Sequence, residues 1–519
     1  MRFATGLERR DGWAILAAAA LVNLSYPPFR LLVPSFLCLA PLVAAFEGPG
    51  SPGHHFRRGF WFGVATHLVL LHWIAVSLWR FRPAASPLFL VVVAGFGLYT
   101  GVTFALVGWI RRRTAVPLIV AFPVAWTALE WVLAHQGPIA IPWLGLGTSL
   151  SGFPVLAQAA DLVGARGLTL LLAAANVALA LAWRRRATPR RATLLVAGVV
   201  AGLMLASGYG SFRRRHLPLR SAGTVLLVQP NLGAEQKWDP RLQDSLVEAT
   251  LALSREAAAR HRPDLIVWPE VALPVPLVQR PGWVAALARH AVEARAELIV
   301  GGVDLEPGRT YNAAFHFSPR AFAPRDPRER IYRKERLVPV FEWLNGVRRG
   351  GAGPLTATRA GAIGVLICHE VVFEELARAR RRDGAAYLVN LANDAWFLGT
   401  GAPAQQAAHS VIRAIETRAA VVRVANTGPS GVVDALGRVR GWTDQNVRVA
   451  VLDTVVTSEA RSLYVRWGDW VGLTSIVAAA GLVLVAAARG LITARPARPP
   501  APPASRCTSG GFARAAPGS

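Results

Sequence analysis

Seven apolar runs of about 20 residues fill the first 212 positions of this chain, and an eighth lies near its C-terminus. A helix of that length spans about 30 Å of hydrocarbon, so each run reads as a membrane crossing. The runs cover approximately 12–29, 31–47, 59–79, 87–110, 115–134, 161–183, 193–211 and 467–488. Pro34 and Pro41 leave the limits of the second run open. Composition agrees, with hydrophobic residues at 53% and charged residues at only 17%, where soluble domains carry about a quarter charged. Bulk disorder is excluded by the same figures. The first run leads directly into further spans and lacks a small-residue cleavage site, so it reads as a retained helix and not as a signal peptide.

The formal net charge is +26. In a membrane protein such an excess marks cytoplasmic loops, not nucleic-acid binding. With the N-terminus inside, 13 arginines fall on the inner side of the first seven helices and 3 on the short outer loops (Arg30, Arg80 and Arg82). Residues 212–466 then lie outside, which in a bacterium is the periplasm or the cell surface, and the last helix returns the chain to the cytoplasm. Arg213, Arg214 and Arg215 oppose this orientation, but long domains translocate largely regardless of charge.

The segment 212–466 has a different texture. Thr224–Val228, Leu265–Trp268, Leu298–Val300, Ala362–Ile367 and Tyr387–Asn390 read as buried strands. Ser245–His261, Trp283–Ala296 and Ala402–Ala419 read as helices. Alternating strands and helices predict an α/β domain. The organisation expected is therefore a polytopic α-helical membrane domain of about eight helices plus one α/β domain: 1–211, 212–466, a C-terminal helix over 467–489, and a disordered cytoplasmic tail over 490–519 that is rich in Pro, Ala, Gly and Arg. Three cysteines, Cys38, Cys368 and Cys507, make no disulfide framework, and no Cys/His spacing suggests zinc.

Three segments of the α/β region end on one reactive residue each. Trp268-Pro269-Glu270 carries a strand into a carboxylate. Taken alone, a loop glutamate is more often solvated than functional. Tyr332-Arg333-Lys334-Glu335-Arg336 carries a lysine. Only Lys237 and Lys334 are lysines among 57 basic residues. A chain so biased to arginine keeps a compact ammonium where a planar fork does not serve. Ile367-Cys368-His369-Glu370 places the one cysteine of the expected external domain at the end of an apolar strand, two residues before a carboxylate. A buried thiol is more often inert than nucleophilic. His369 is a poor partner for it, because neighbours on a strand point to opposite faces.

In that order, a strand ending in Glu, then Lys, then Cys-x-Glu resembles the Glu-Lys-Cys triad of the nitrilase superfamily. With helices on both sides, the chain is similar to the apolipoprotein N-acyltransferase family over nearly all of its length to about 489. The helical part carries Gly59-Phe60-Trp61-Phe62-Gly63, His72-Trp73-Ile74, Glu130-Trp131 and Pro142-Trp143-Leu144-Gly145-Leu146-Gly147. The external part carries Val228-Gln229-Pro230-Asn231, Lys237-Trp238, Tyr311-Asn312, Asn393-Asp394-Ala395-Trp396-Phe397 and Asn426-Thr427-Gly428. Each is weak alone; their order and spacing are specific. Two places depart from the family pattern: Val340-Phe341-Glu342 where Phe-Gly-Glu is usual, and Cys368-His369-Glu370 where Cys-Tyr-Glu is usual.

The resemblance implies a nitrilase-like αββα sandwich, with Glu270 as general base, Lys334 as oxyanion donor and Cys368 as the nucleophile that carries a thioester. Glu342 and Glu370 would support them. It also implies a phospholipid acyl donor, an S-diacylglyceryl-cysteine N-terminus of an apolipoprotein as acceptor, a bacterial inner membrane location with the catalytic domain in the periplasm, a monomer, and neither metal nor organic cofactor. Trp238 and Trp396 are the candidate substrate-binding residues. For Lys237 and Trp238 a lipid head-group contact and a plain surface loop stand at even odds; for Val271–Pro276 and Trp396–Pro403 an acyl entrance competes with ordinary core packing. A membrane-tethered amidase with the same triad, and a transporter with an inert outer domain, are the competing functions. Few acids in the spans, chiefly Glu130, speak against transport.

Overall fold

The structure is a computed structural model that describes residues 7–43, 46, 50–320, 331–339, 341–353, 355–359, 361–397 and 399–493. The expected tail from 494 onward, Cys507 and Val340 lie outside the described residues.

Four helices are long and apolar enough to cross a bilayer, running over 83–113, 160–184, 189–216 and 470–491. A fifth candidate is the pair Pro52–Leu70 and His72–Phe81, which bends by 56° at Leu71. The remaining expected spans are shorter. The first is the 17-residue helix Arg9–Ser25, the second breaks into Leu32–Leu37 and Ala40–Val43, and the fifth is Leu118–Ala134. The helix Pro189–His216 runs past residue 212, and the last helix, Trp470–Thr493, runs past residue 489.

Glycines spaced four apart decide one helix pair. A Cβ on Gly63 would lie 2.1 Å from the Thr100 hydroxyl, and one on Gly97 would lie 2.8 Å from the Val64 side chain. Bare backbone on both sides lets Pro52–Leu70 and Leu88–Arg113 approach closely, the small-residue packing that association in lipid favours. Glu130, an acid within the spans, is fully employed. It accepts from the Leu146 N–H at 2.8 Å, the Thr169 hydroxyl at 2.7 Å and the Trp126 indole at 3.2 Å. It thereby ties its helix to the turn Leu146–Gly152 that follows the Pro142–Gly147 motif, a structural task and not a transport one.

The second part is a sandwich of two sheets. The strands are β1 (Arg220–Gln229), β2 (Leu265–Val267), β3 (Leu273–Pro276), β4 (Glu297–Glu306), β5 (Arg309–Phe317), β6 (Ile331–Arg333), β7 (Thr356–Thr358), β8 (Gly361–Ile367), β9 (Tyr387–Ala392), β10 (Val421–Ala425), β11 (Gly431–Val433) and β12 (Val449–Thr457). One sheet runs β12-β1-β2-β4-β5-β6, with β3 beside β4; the other runs β11-β10-β9-β8-β7. Period-two alternation sorts their side chains. Val225 and Leu227 of β1 face the other sheet and meet Ile363, Val365 and Val389. Leu226 and Val228 face out and bury Val247, Leu251, Leu287 and Ala291 of the helices Gln243–His261 and Pro281–Ala294. This is the expected αββα architecture.

The outer helices of the second sheet, Glu374–Arg382 and Ala402–Thr417, share one apolar core with the membrane helices. Every residue of Ala402–Thr417 except Ala404 is buried, because the helix is covered by the sheet on one side and by the helical domain on the other. Buried ion pairs fix this junction. Arg166 pairs with Glu374 and lies 2.7 Å from Asp469, while Arg418 lies 2.7 Å from Asp161. Removing one partner of such a pair strands the other charge in a dry interior, at a cost of about 3–5 kcal/mol.

Candidate active site

The three expected residues converge from three strand ends. Glu270 follows β2, on a segment pressed against β4. A Cβ on Gly301 would lie 2.2 Å from the Pro269 carbonyl oxygen, so only glycine admits this approach. Lys334 follows β6, with its N–H donated to the Asn312 carbonyl at 2.9 Å. Cys368 follows β8 in the left-handed region, at φ +55°, and opens the short 3-10 turn Cys368–Val372. A non-glycine residue there is strained, and the strain is held by surrounding contacts. Asn390 of β9 donates to the Cys368 carbonyl at 3.0 Å.

The Lys334 ammonium lies 3.1 Å from Glu270 Oε1 and 2.9 Å from Glu342 Oε1. Asn312 Nδ2 donates to the same two carboxylates, at 2.7 and 3.2 Å. Glu342 also accepts the Val338 N–H at 2.6 Å, which folds the segment after Lys334 back over the site. The Cys368 sulfur accepts from Gln406 Nε2 at 3.6 Å. Gln406 is held in turn by Arg423, whose guanidinium also pairs with Asp394 at 2.7 Å.

Electrostatics set the resting protonation. Burial alone raises the Glu270 carboxyl, but the Lys334 charge and hydrogen bonding from Asn312, Cys368 and Lys334 outweigh it and leave it below the ordinary carboxylate range. Burial lowers Lys334, and the charges of Glu270 and Glu342 overcome that and push it well above the usual ammonium value. Burial, then the Glu270 charge, raises the Cys368 thiol. The site therefore rests as carboxylate, ammonium and thiol, with the base ionised beside a protonated nucleophile.

Glu342 supports the lysine directly. Glu370 acts at a distance from it, since no hydrogen bond joins its carboxylate to the amine. It accepts the N–H groups of Ile367 and Glu335 at 2.6 Å, that of Arg336 at 2.9 Å and the Tyr332 hydroxyl at 2.9 Å. It thus clamps the cysteine turn to the backbone beside Lys334. Its pKa is raised to about 7, chiefly by burial. Glu370→Gln turns an amide donor toward N–H donors. We expect it to destabilise the fold by about 1–3 kcal/mol, read as a lowered thermal midpoint, with acyl-transfer rate falling in parallel.

His369 packs edge-on against Phe373, with ring centres 5.4 Å apart, and the side chain that donates to the cysteine sulfur is Gln406. The reason is not strand alternation, as the sequence suggests, because Cys368 and His369 stand in the turn beyond the strand. Trp396 meets Phe81 at 4.5 Å and Phe341 at 4.7 Å between ring centres, and its carbonyl accepts the Ser77 hydroxyl at 2.7 Å. It therefore seals the junction of the two domains. Trp238 is 46% exposed, while Lys237 beside it is fully buried. A plain surface loop is thus excluded for the lysine. Asn390, Gln406 and Arg423 carry no signal of a role in the sequence, and Asn312 stands out there only within the Tyr311-Asn312 motif; folding brings all four to the triad.

A family profile described as the apolipoprotein N-acyltransferase N-terminal domain matches residues 18–178, and one described as carbon-nitrogen hydrolase matches 227–489. An apolipoprotein N-acyltransferase of Geobacter metallireducens is 32% identical over 502 residues, covering 92% of this chain and 96% of its own. The chain belongs to the apolipoprotein N-acyltransferase family. Proteins of that name from Nitrosomonas europaea and Pseudomonas putida are each 30% identical, covering 93% and 89% of this chain and 99% and 94% of their own. Membership of the apolipoprotein N-acyltransferases accounts for both halves: a bundle of apolar helices and a nitrilase-like α/β domain.

Proposed function

We propose that this chain transfers an acyl group from a phospholipid to the N-terminal amine of the S-diacylglyceryl-cysteine of apolipoproteins. What supports the reading is the carboxylate–ammonium–thiol cluster of an αββα sandwich whose outer helices share a core with helices long and apolar enough to cross a bilayer. Glu270 takes the thiol proton as Cys368 attacks the donor ester. Lys334 stabilises the oxyanion. The proton returns to the leaving alcohol, which departs as lysophospholipid and leaves a thioester on Cys368. The acceptor amine then attacks, Glu270 takes its proton, and the thiol is restored with an amide formed. The aromatic cluster of Trp73, Trp143 and Phe397 at the domain junction suits acyl chains and keeps water from the thioester.

Incubated with phospholipid alone, the protein should gain one acyl group in its intact mass. That group should leave on treatment with hydroxylamine or on addition of a diacylglyceryl-cysteine peptide. A peptide that is acylated although no adduct ever forms would refute the two-step route. Steady water-driven release of fatty acid would identify a hydrolase instead.

We propose eight crossings, counting the three shorter apolar helices and the bent pair as one each, with the N-terminus and the tail in the cytoplasm and the catalytic domain in the periplasm of the inner membrane. The arginine distribution supports this orientation. A reporter fused near residue 300 should be active only when periplasmic; cytoplasmic activity would reverse the assignment.

A further inference from the structure

Two of the 57 basic residues are lysines. The triad uses Lys334, and nothing above gives Lys237 a role. Yet the fold brings both to one place from unrelated segments. Lys237 sits in the 3-10 turn Gln236–Trp238, in the connection after β1. The turn is inverted against ordinary partition: its indole points to the surface and its ammonium inward, fully buried. The amine donates to the backbone carbonyl of Glu270 at 3.4 Å. That is its one hydrogen bond among the described residues, and no carboxylate pairs with it there. An ammonium has three donors, so two N–H directions are left over beside the base.

The charges of Glu270 and Asp394 raise the Cys368 thiol and that of Lys334 lowers it, while those of Glu270 and Cys368 raise Lys237, whose amine is anchored on the Glu270 carbonyl. Lys334 is already shared between Glu270 and Glu342. As the thiol proton moves to Glu270, negative charge passes to sulfur and then to the carbonyl oxygen of the donor. A second cation fixed to the backbone of the base meets that charge without reorganisation. Burial lowers Lys237 to about 8, opposed by the charges of Glu270 and Cys368, so the proton it carries is held by the very groups it serves.

We infer that Lys237 is a second ammonium of the active site, a positioning residue that fixes the Glu270 backbone and holds positive charge beside Cys368 while the thiolate and the oxyanion form. The inference rests on the triad reading given above. Its primary test does not require acyl transfer. Alkylation of Cys368 by iodoacetamide, followed across pH by mass spectrometry of its peptide, reports the thiolate directly in the full-length protein.

Lys237→Met should raise the midpoint of that profile by about one pH unit, a tenfold loss of thiolate at fixed pH, and slow acyl loading from phospholipid roughly tenfold to a hundredfold. Lys237→Arg, which keeps charge, should return the midpoint to that of the wild type. A folded Met variant with an unshifted midpoint would overturn the inference. If the Met variant does not fold, the Arg variant decides: a raised midpoint in a folded Arg protein means that shape and not charge is required. Should the wild type fail to load an acyl group while Lys237→Met still shifts the alkylation midpoint, the transfer route falls and the role of Lys237 stands.

Discussion

Cys368→Ala should yield a folded, membrane-inserted protein that releases no lysophospholipid and never gains an acyl group. Among the described residues, Cys368 is the cysteine that lies beside the ionised base. Cys38 is buried in the helical domain, where its thiol lies 3.8 Å from the Ser35 carbonyl. With the nucleophile gone, only binding and oxyanion contacts survive, and the loss should be on the order of 10⁴-fold or more. Replacing sulfur by hydrogen removes little volume. The Gln406 amide loses one weak acceptor but keeps its bond with Arg423, so the thermal midpoint should move by only a few degrees. Intact mass after incubation with phospholipid measures the adduct, and thin-layer chromatography measures the lysolipid. Transfer at wild-type rate by this variant would end the thioester mechanism. Cys38→Ala should by contrast leave transfer unchanged.

Lys334→Arg should be nearly as damaging although it keeps the charge. The amine is 1% exposed and sits 3.1 and 2.9 Å from two carboxylate oxygens. A guanidinium is wider, planar and set on a different stem, and a packed interior does not open to receive it. It would turn its fork on Glu270 and Glu342 and leave no N–H where the oxyanion forms. Loss of one such donor costs about 10²–10³ in rate, and we expect at least that, read as single-turnover acyl loading with the donor in excess. A near-normal rate would show that charge alone suffices. The pH profile of the wild type gives a companion result. Because Glu270 is held below the ordinary carboxylate range, it remains a base as pH falls through the range where free carboxylates protonate. The acid limb of loading should therefore lie below that range, provided the fold survives.

Local chemistry was legible without coordinates. Apolar length identifies helices whatever they pack against, and the strands around Leu265–Val267, Gly361–Ile367 and Tyr387–Ala392 are continuous apolar segments that bury both faces. The bias to arginine singled out Lys334, because a compact ammonium is a chemical requirement visible in one residue. Length alone did not show where the spans break. Residues 31–47 contain enough apolar residues to cross, but Pro34 and Pro41 break them into short helices, and Leu71 bends another run.

Everything that depends on two distant segments meeting was decided by the tertiary structure. Glu370, two residues from the nucleophile, clamps backbone across to Tyr332 and Glu335 instead of touching an amine. Gln406 reaches the triad from a helix whose own sequence says nothing of it. Trp238 and Lys237 exchange the places their side chains would ordinarily take, since only the closed site offers a buried ammonium the Glu270 carbonyl. Sequence fixes which groups a chain owns and how each short segment prefers to run; the distances between those groups, and with them the charge each one carries, come from packing between segments tens of residues apart.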